Sequence, residues 1–430
     1  MSRMQMLVVA ITVGLTALDG FDILSISFAS PGIAREWGID RAALGIVLSM
    51  ELIGMALGSI LLGGIADRIG RRRMLLGCLV LMTLGMVMVA GVRGLNALCF
   101  WRIVTGFGIG GMLAANNAVA TEFANVRRRD LSVSVMAIGY PLGAVIGGSI
   151  AAKLLQGGNW RVVFEFGAIC TGIFLPIVFW WVPESVGWLC QTRPARALER
   201  LNRSLTRLGH DPVDTLPPRL PQKGKGSLID LFREGLAPTT IILSATYFLH
   251  VTTFYFIVKW VPKIVVDMGF APSSAAGVLV WTNVGGATGG AVLGLLTQRL
   301  GLKPLTTAVF IGSTLMVAIF GRGTVDLTRL SLVCALAGFC TNGGIVGVYA
   351  LMARAFPTQL RASGSGFVIG VGRGGSVLAP IIAGLLFRAG FGLQTVALIM
   401  GSGSLFAALC LAALPARASA PHTQSVAANG

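Results

Sequence analysis

The stretch Gly63-Gly64-Ile65-Ala66-Asp67-Arg68-Ile69-Gly70-Arg71-Arg72-Arg73 ends one long apolar run, at residues 43–66, and precedes another, at residues 74–93. Each run has roughly the 20 apolar residues that a helix needs to cross a bilayer. Arginines concentrated in a short loop are typical of the cytoplasmic side of a membrane. The stretch therefore predicts two membrane helices joined by a cytoplasmic loop.

Similar apolar runs recur along the whole chain. Of its 430 residues, 54% are apolar and only 12% are charged, which is typical of a membrane protein with many spans. The predicted spans lie at residues 5–30, 43–66, 74–93, 96–121, 131–154, 162–183, 237–262, 273–297, 303–321, 329–353, 363–388 and 392–414. The predicted fold class is an all-α polytopic membrane protein with twelve transmembrane helices.

The net charge of +17 does not indicate a nucleic-acid partner, because the basic residues are sorted by loop. With a cytoplasmic N-terminus, 22 of the 34 fall on inner segments and 10 on outer loops and helix ends, including Lys259. Only Arg102 and Arg373 lie within spans. The positive-inside rule then puts both termini in the cytoplasm. The predicted location is a plasma or bacterial inner membrane, which the chain crosses many times.

The chain also shows an internal repeat around one long polar segment. Gly63, Arg68, Gly70 and Arg72 recur 231 residues later as Gly294, Arg299, Gly301 and Lys303, and the same offset from Asp19 reaches His250. Such parallel repeats are typical of transporters. The predicted organisation is a six-helix half at 1–183, a cytoplasmic linker at 184–236, a second six-helix half at 237–414 and a cytoplasmic tail at 415–430.

The charged loop matches the G-x-x-x-D-R-x-G-R-R pattern and resembles the major facilitator superfamily. Arg102-Ile103-Val104-Thr105-Gly106-Phe107-Gly108-Ile109-Gly110-Gly111 resembles its fourth-helix motif, and Trp181-Val182-Pro183-Glu184-Ser185 resembles its P-E-S ending, although Val186-Gly187 replaces the usual Pro-Arg. The resemblance covers essentially the whole chain and implies the major facilitator fold, with two pseudo-symmetric six-helix halves.

Within that superfamily, the sequence is similar to the aromatic acid:proton symporters. The similarity lies in Asp19-Gly20-Phe21-Asp22, in Asn117 and Glu122, and in Arg127-Arg128-Arg129; Ala114-Ala115 stand where the family usually has Met-Pro. The resemblance implies proton-coupled import of a benzoate-type anion. It also implies that seven residues are functionally important: Asp19, Asp22, Asp67, Arg102, Glu122, Arg361 and Arg373.

Asp19 and Asp22 lie three residues apart inside the first apolar run. A charge at bilayer depth costs roughly 2.5 to 3.5 kcal/mol, so both must face a cavity or partners. The helical rise puts Asp19 and Arg102 at one depth, where they can neutralise each other until a proton releases the arginine; a static ion pair is the alternative. Asp19, Asp22 and Glu122 are the predicted proton-coupling residues, and for Glu122 a surface pair with Arg127 or Arg128 is the alternative.

Other polar and aromatic residues within the spans are candidates for substrate binding. The predicted set is Arg102, Arg373, Tyr247, His250, Phe254, Asn283 and Asn342. An arginine can hold a carboxylate in a bidentate pair, and aromatic rings can stack on an aromatic substrate. For Arg373 the alternative is a bond to backbone carbonyls, for the aromatic residues and the histidine ordinary core packing, and for the asparagines interhelical hydrogen bonds.

The charged loop is the predicted gate. Gly63 would allow close helix approach, and Asp67 would pair with basic groups and lock one conformation; a simple positive anchor is the alternative. The predicted gating residues are Gly63, Asp67, Arg68, Gly70, Arg71 and Arg361. Glu51 is a further acid within a span, either a proton relay or the partner of an arginine.

The sequence thus predicts a proton-coupled importer of an aromatic carboxylate that works by alternating access, acts as a monomer and uses neither a cofactor nor a metal. A proton-driven exporter and a membrane receptor for aromatic acids are the alternatives. No metal-ligand spacing, nucleophile motif or cofactor loop is found in the sequence, so an enzyme is not expected.

Overall fold

The computed structural model describes residues 1–217, 228–233, 235–297, 299–357 and 360–414. The predicted cytoplasmic tail and part of the predicted linker lie outside these residues.

The described residues form fourteen α-helices. They are α1 (Arg3–Trp37), α2 (Arg41–Ile69), α3 (Arg71–Gly91), α4 (Leu95–Phe123), α5 (Arg129–Leu154), α6 (Arg161–Trp181), α7 (Val186–Thr192), α8 (Ala197–Leu208), α9 (Ala237–Asp267), α10 (Pro272–Leu296), α11 (Leu302–Gly321), α12 (Leu327–Ala355), α13 (Arg361–Arg388) and α14 (Leu393–Ala412). All of them except α7 and α8 are long and apolar enough to cross a membrane. The predicted fold class with twelve transmembrane helices is confirmed.

Helices suit these segments because a bilayer offers no water to bond free backbone groups, so each segment must satisfy its own. Proline does not end such helices: Pro141 and Pro176 lie inside α5 and α6, and Pro262 lies inside α9. The predicted seventh span stops at Pro262, whereas α9 continues to Asp267. This difference changes the location of Lys259, as described below.

The chain forms two compact units. The described residues of unit 1 lie within 1–221, 258–283 and 380–388, and those of unit 2 lie within 222–257, 284–379 and 389–430. These units are defined by compactness and differ in outline from the predicted repeats, whose boundaries stay a prediction. The segment predicted as a linker contains the two short helices α7 and α8.

Close backbone packing in unit 1 depends on glycine. A Cβ at Gly54 or Gly58 of α2 would collide with the backbone of α4, and a Cβ at Gly106 of α4 would collide with the backbone of Glu51 in α2. Small residues let membrane helices approach in this way and pack by van der Waals contact. Because Gly106 lies one helical turn from Arg102 on α4, this contact brings Glu51 beside Arg102.

Unit 2 packs in the same manner around an apolar core. A Cβ at Gly285 or Gly289 of α10 would collide with backbone carbonyls of α12. The core of the unit includes Phe310 of α11 and Val348 of α12, both without solvent exposure. This packing fixes the polar side chains that α9 and α12 carry within the unit.

Candidate functional site

Five ionisable side chains of unit 1 have no solvent exposure and form what we call the buried charge cluster: Asp19, Asp22, Glu51, Arg102 and Lys259. Glu51 forms ion pairs with Arg102 and with Lys259, the latter with an Nζ–Oε2 distance of 3.5 Å. One carboxylate thus lies between two cations. Such pairs are stable in a low-dielectric interior only when their partners stay in place.

The two cations also bind the backbone of α1. Arg102 Nη2 donates to the carbonyl oxygen of Asp22 at 3.2 Å, and Lys259 Nζ donates to the carbonyl oxygen of Ile23. The guanidinium of Arg102 lies 5.4 Å from the ring centroid of Phe164. Both cations are therefore fixed beside the turn of α1 that carries the aspartates.

The carboxyl groups of Asp19 and Asp22 are left without partners. None of their four oxygens has a hydrogen-bond partner among the described residues. The predicted carboxylate–guanidinium contact between Asp19 and Arg102 is wrong for this structure, because the α2–α4 packing at Gly106 gives Arg102 the closer acid, Glu51. Of the two roles proposed for Glu51, the structure shows the arginine partner.

Lys259 is not among the residues that the sequence predicts to be functional, and its predicted place among the outer loops and helix ends is wrong. It is fully buried in α9, eight residues before the end of the helix at Asp267. The signal was present in the sequence, since Ile257-Val258-Lys259-Trp260-Val261 puts a lysine inside an apolar run. Because the predicted span ends at Pro262, Lys259 falls close to the predicted end of the helix.

In unit 2, Tyr247, Tyr349 and Arg373 form a second group, here called the tyrosine–arginine group. The two tyrosine hydroxyls are 2.9 Å apart, and the ring of Tyr247 packs on Gly372, the residue before Arg373. Tyr247 is 7% exposed and Tyr349 is 44% exposed. Within the described part of the chain, half-buried Arg373 has no acidic group at salt-bridge distance.

Tyr349 was not a predicted site residue. It follows Asn342 by seven residues on α12 and therefore lies on the same helical face. That spacing was the signal in the sequence.

His250 is fully buried, and protein groups engage both of its ring nitrogens. Nε2 lies 2.7 Å from the carbonyl oxygen of Thr341, and Nδ1 lies 2.9 Å from the hydroxyl of Ser404. A carbonyl only accepts hydrogen bonds, so Nε2 carries the proton, and Nδ1 of a neutral ring accepts from the serine. The ring also packs against Phe310, with 4.4 Å between centroids. This geometry is that of a core histidine, and substrate contact stays a prediction.

The remaining substrate candidates make contacts within the protein. Asn342 Nδ2 donates to the carbonyl oxygen of Gly286 at 2.6 Å, an interhelical bond between α12 and α10. Asn283 Nδ2 donates to the carbonyl oxygen of Leu279 in its own helix. Phe254 packs edge-on against Tyr255. A substrate role for these three residues is untested.

The predicted gate is a network around the α2–α3 loop. Arg71 pairs with Asp67 at 2.9 Å and with Glu122 of α4 at 3.4 Å. Ser185 donates a hydrogen bond to Glu122. Glu122 therefore belongs to this network and not to the buried charge cluster, and its predicted alternative partners Arg127 and Arg128 are replaced by Arg71 and Ser185. Its proton-coupling role stays a prediction.

Gly70 and Glu184 fit together in this network. Gly70 has a φ of +104°, a conformation that favours glycine. A Cβ there would also collide with the carboxylate of Glu184, which accepts hydrogen bonds from the backbone N–H groups of Arg71 and Arg72 at 2.8 and 3.2 Å. Glu184 thus caps the N-terminus of α3.

Gly63 does not have the role expected of it in this structure. A Cβ at Gly63 would meet no described atom within 4 Å, whereas α2 makes close contacts with α4 at Gly54 and Gly58. The two remaining gating candidates, Arg68 and Arg361, are exposed.

Comparison with known proteins decides the family. The family model of the Major Facilitator Superfamily matches residues 12–331 and 243–429. The chain belongs to the major facilitator superfamily. It is accordingly a multi-pass membrane transporter and not an enzyme.

Two curated relatives and one solved structure show how far the likeness extends. The 3-(3-hydroxy-phenyl)propionate transporter of Escherichia coli K12 is 30% identical over 97% of this chain and 96% of its own length. The gallate transporter of Pseudomonas putida is 28% identical over 95% of this chain and 91% of its own. The crystal structure of D-xylose-proton symporter has a TM-score of 0.75 at 17% identity, covering 96% and 98% of the two chains, which shows the fold alone.

These relatives confirm the resemblance to aromatic acid transporters that the helix-1 and helix-4 motifs predicted. The match extends over both units of this major facilitator protein. The site residues predicted within it are untested by any of the comparisons.

Proposed function

We propose that this transporter imports a hydroxylated aromatic carboxylate together with a proton, by alternating access. The substrate class is supported by the relatives that carry gallate and 3-(3-hydroxy-phenyl)propionate in their names. Proton coupling is supported above all by the two buried carboxyl groups of Asp19 and Asp22, which have no hydrogen-bond partner among the described residues.

The charge of the buried cluster supports one proton for each cycle. Glu51 lies between Arg102 and Lys259, so one of the two positive charges is compensated within the triad. Asp19 and Asp22 together bring one negative charge more than the triad can balance. A proton bound to either aspartate makes the cluster neutral, and a buried cluster is far less costly when neutral.

The driving force follows from the charge that is moved. An anion that enters a negatively charged cell works against about 2.3 kcal/mol for every 100 mV. One proton moving with a monocarboxylate removes this opposition, since the pair carries no net charge. Symport is therefore the arrangement that lets such a carrier accumulate its substrate.

For the substrate carboxylate, we propose Arg373 as the main ligand. The guanidinium of Arg373 has no acidic partner among the described residues, whereas that of Arg102 is already paired with Glu51. Arginine binds a carboxylate through two parallel hydrogen bonds. Tyr247 and Tyr349 add hydroxyl groups that suit ring hydroxyls of the substrate, and Tyr349 adds an exposed aromatic ring.

The test is uptake of labelled aromatic acids into proteoliposomes that contain the purified transporter. Gallate, 4-hydroxybenzoate, 3-(3-hydroxyphenyl)propionate and benzoate are compared, each with and without an inward proton gradient. Accumulation of at least one hydroxylated acid that needs the gradient and is lost with an uncoupler is the expected result. Uptake only under an outward gradient indicates an exporter, and binding without uptake indicates a receptor; either contradicts the proposal.

The proposal includes orientation in the inner membrane with both termini in the cytoplasm. The arginine-rich α2–α3 loop and the arginines of α8 support this orientation by the positive-inside rule. Reporter fusions at the two termini, compared with a fusion in the α1–α2 loop, test it. A reporter that is active only outside the cytoplasm should be inactive at both termini. Its activity at either terminus contradicts the proposed orientation.

A further inference from the structure

The helix α8 is amphipathic and carries an arginine stripe. Arg200, Arg203 and Arg207 have the i, i+3, i+7 spacing that brings side chains to one helical face. The opposite face buries Leu201 in a small apolar core with Trp188 and Leu189 of α7. The stripe is therefore held in a fixed direction by the packing behind it.

The stripe borders a cavity of about 360 Å³ in unit 1. Its described lining includes Arg72 and Arg73 of α3 and the three arginines of α8, together with a single acid, Glu184. We call these five arginines the arginine pocket. One carboxylate oxygen of Glu184 already accepts hydrogen bonds from the backbone N–H groups of Arg71 and Arg72, so this acid is committed to the helix cap.

Most of the positive charge in the arginine pocket is not neutralised. Arg72 donates to the carbonyl oxygen of Phe179, and Arg207 donates to that of Trp180 at 3.5 Å; both acceptors are uncharged. Arg203 pairs with Glu199 at 3.2 Å, but both side chains are more than half exposed, where such pairs contribute little. An anion that enters the cavity therefore meets several available guanidinium groups.

The cavity lies at the level of an aromatic belt. The adjacent end of α6 exposes Phe179, Trp180 and Trp181 by 52%, 64% and 51%. Exposed tryptophans at the end of a membrane helix are typical of the depth at which lipid headgroups lie. Phe179 belongs to the belt and also lines the cavity, so the cavity borders this depth.

We propose that the arginine pocket binds a phosphate group, carried by the headgroup of an anionic phospholipid. Guanidinium groups match the geometry of phosphate oxygens and bind them bidentately, and basic pockets at the cytoplasmic ends of membrane helices suit such headgroups. The cavity is large enough for a phosphate group and the glycerol attached to it. Because the aromatic belt beside the cavity marks headgroup depth, a phospholipid is favoured over a soluble phosphate ester. The pocket is separate from the buried charge cluster.

Native mass spectrometry of the purified full-length transporter tests this proposal. Phosphatidylglycerol and the zwitterionic phosphatidylcholine are titrated onto the wild type, onto Arg203→Gln/Arg207→Gln and onto Arg3→Gln/Arg233→Gln. The last variant removes the same charge at exposed sites outside the pocket. We expect phosphatidylglycerol to bind about tenfold more weakly to the pocket variant, to bind the control variant within twofold of the wild type, and to be preferred over phosphatidylcholine.

The source of the phosphate is distinguished by competition with soluble probes. Inorganic phosphate and glycerol 3-phosphate should not displace phosphatidylglycerol at millimolar concentration if the site takes a lipid. If either soluble probe displaces phosphatidylglycerol from the wild type but not from the pocket variant, the pocket binds phosphate, and the assignment to a lipid is overturned.

A folding defect is excluded by a conservative variant. Arg203→Lys/Arg207→Lys keeps the charge but loses the planar fork, so its affinity for phosphatidylglycerol should lie between those of the wild type and the glutamine variant. Equal affinity of the glutamine variant and the control variant, whether both weakened or both unchanged, overturns the proposal.

Discussion

In unit 1 the buried cations are paired, and the carboxyl groups of two aspartates have no hydrogen-bond partner among the described residues. In unit 2 the buried histidine is fully bonded, and Arg373 has no acidic partner among the described residues. The contrast is sharpest at Asp19 and His250, which occupy equivalent positions in the sequence repeat. The carboxyl group of Asp19 has no hydrogen-bond partner in the described part of the chain, and both ring nitrogens of His250 have one. The two positions that the sequence repeat relates therefore have different surroundings in this structure.

The difference suggests how the two functions are divided. A group that takes up and releases a proton must be able to change charge without losing fixed partners, which suits Asp19 and Asp22. A group that binds an anion must keep its charge available, which suits Arg373. The proposed function accordingly places proton binding in unit 1 and carboxylate binding in unit 2, and four substitutions test this proposal.

The largest effect is expected for Asp22→Asn. Asparagine has nearly the shape of aspartate but cannot ionise, so gradient-driven accumulation should be abolished while exchange of substrate across the membrane continues. Uptake and counterflow in proteoliposomes measure the two activities, and Asp19→Asn should behave in the same direction. Accumulation by Asp22→Asn at the level of the wild type would falsify the coupling assignment.

The second substitution, Glu51→Gln, removes the acid that two buried cations share. Breaking a buried pair by removing one partner costs about 3 to 5 kcal/mol, because it leaves an uncompensated charge. Thermal unfolding in detergent should show a clear loss of stability. The double variant Glu51→Gln/Lys259→Met should recover part of it, since one unpaired charge has been removed.

If the double variant is no more stable than Glu51→Gln, then Lys259 does not depend on Glu51 for compensation. If Glu51→Gln is as stable as the wild type, Glu51 does not stabilise the buried cations of unit 1. The statement that these cations are paired, on which the comparison of the two units depends, is then contradicted.

The third substitution is Arg373→Lys. Lysine keeps the charge but offers no planar fork, so the affinity for a carboxylate should fall by about tenfold. The KM of uptake should rise with little change in the maximal rate, and thermal stability should be unchanged. Arg102→Lys is the comparison, and its main effect should be on stability. A larger KM effect at Arg102 than at Arg373 would exchange their proposed roles.

The sequence predicted the helices well because membrane spans are set by apolar length alone. The twelve spans and the burial of the two aspartates could be predicted without knowing how the helices pack. The partner of Arg102 could not be predicted in this way, since helical rise gives depth but not the direction in which a side chain points. Glu51 lies beside Arg102 because Gly106 lets α2 and α4 touch, a property of a pair of helices and not of one.

Two other errors have equally local causes. Lys259 is predicted near a helix end because the predicted span stops at Pro262, whereas α9 continues to Asp267 and prolines are tolerated within membrane helices. Gly63 was expected at a close contact because glycine permits one, yet glycine does not create one. By contrast, Gly70 carries an observable requirement, a positive φ against the carboxylate of Glu184.

The smallest effect is expected for His250→Gln, and it tests the histidine side of the comparison. Glutamine cannot reach both Thr341 and Ser404 with the geometry of the ring, so one hydrogen bond should be lost at a cost of about 1 kcal/mol, with some further loss of packing on Phe310. Gradient-driven accumulation should remain, with the same dependence on the gradient as the wild type, because no titrating group has been removed from the coupling pair. Ser404→Ala removes only the Nδ1 contact and should lower the unfolding temperature by less. If His250→Gln abolished accumulation while Ser404→Ala and the unfolding temperature stayed near the wild type, the histidine would carry a proton after all, and the two halves of the repeat would share one task.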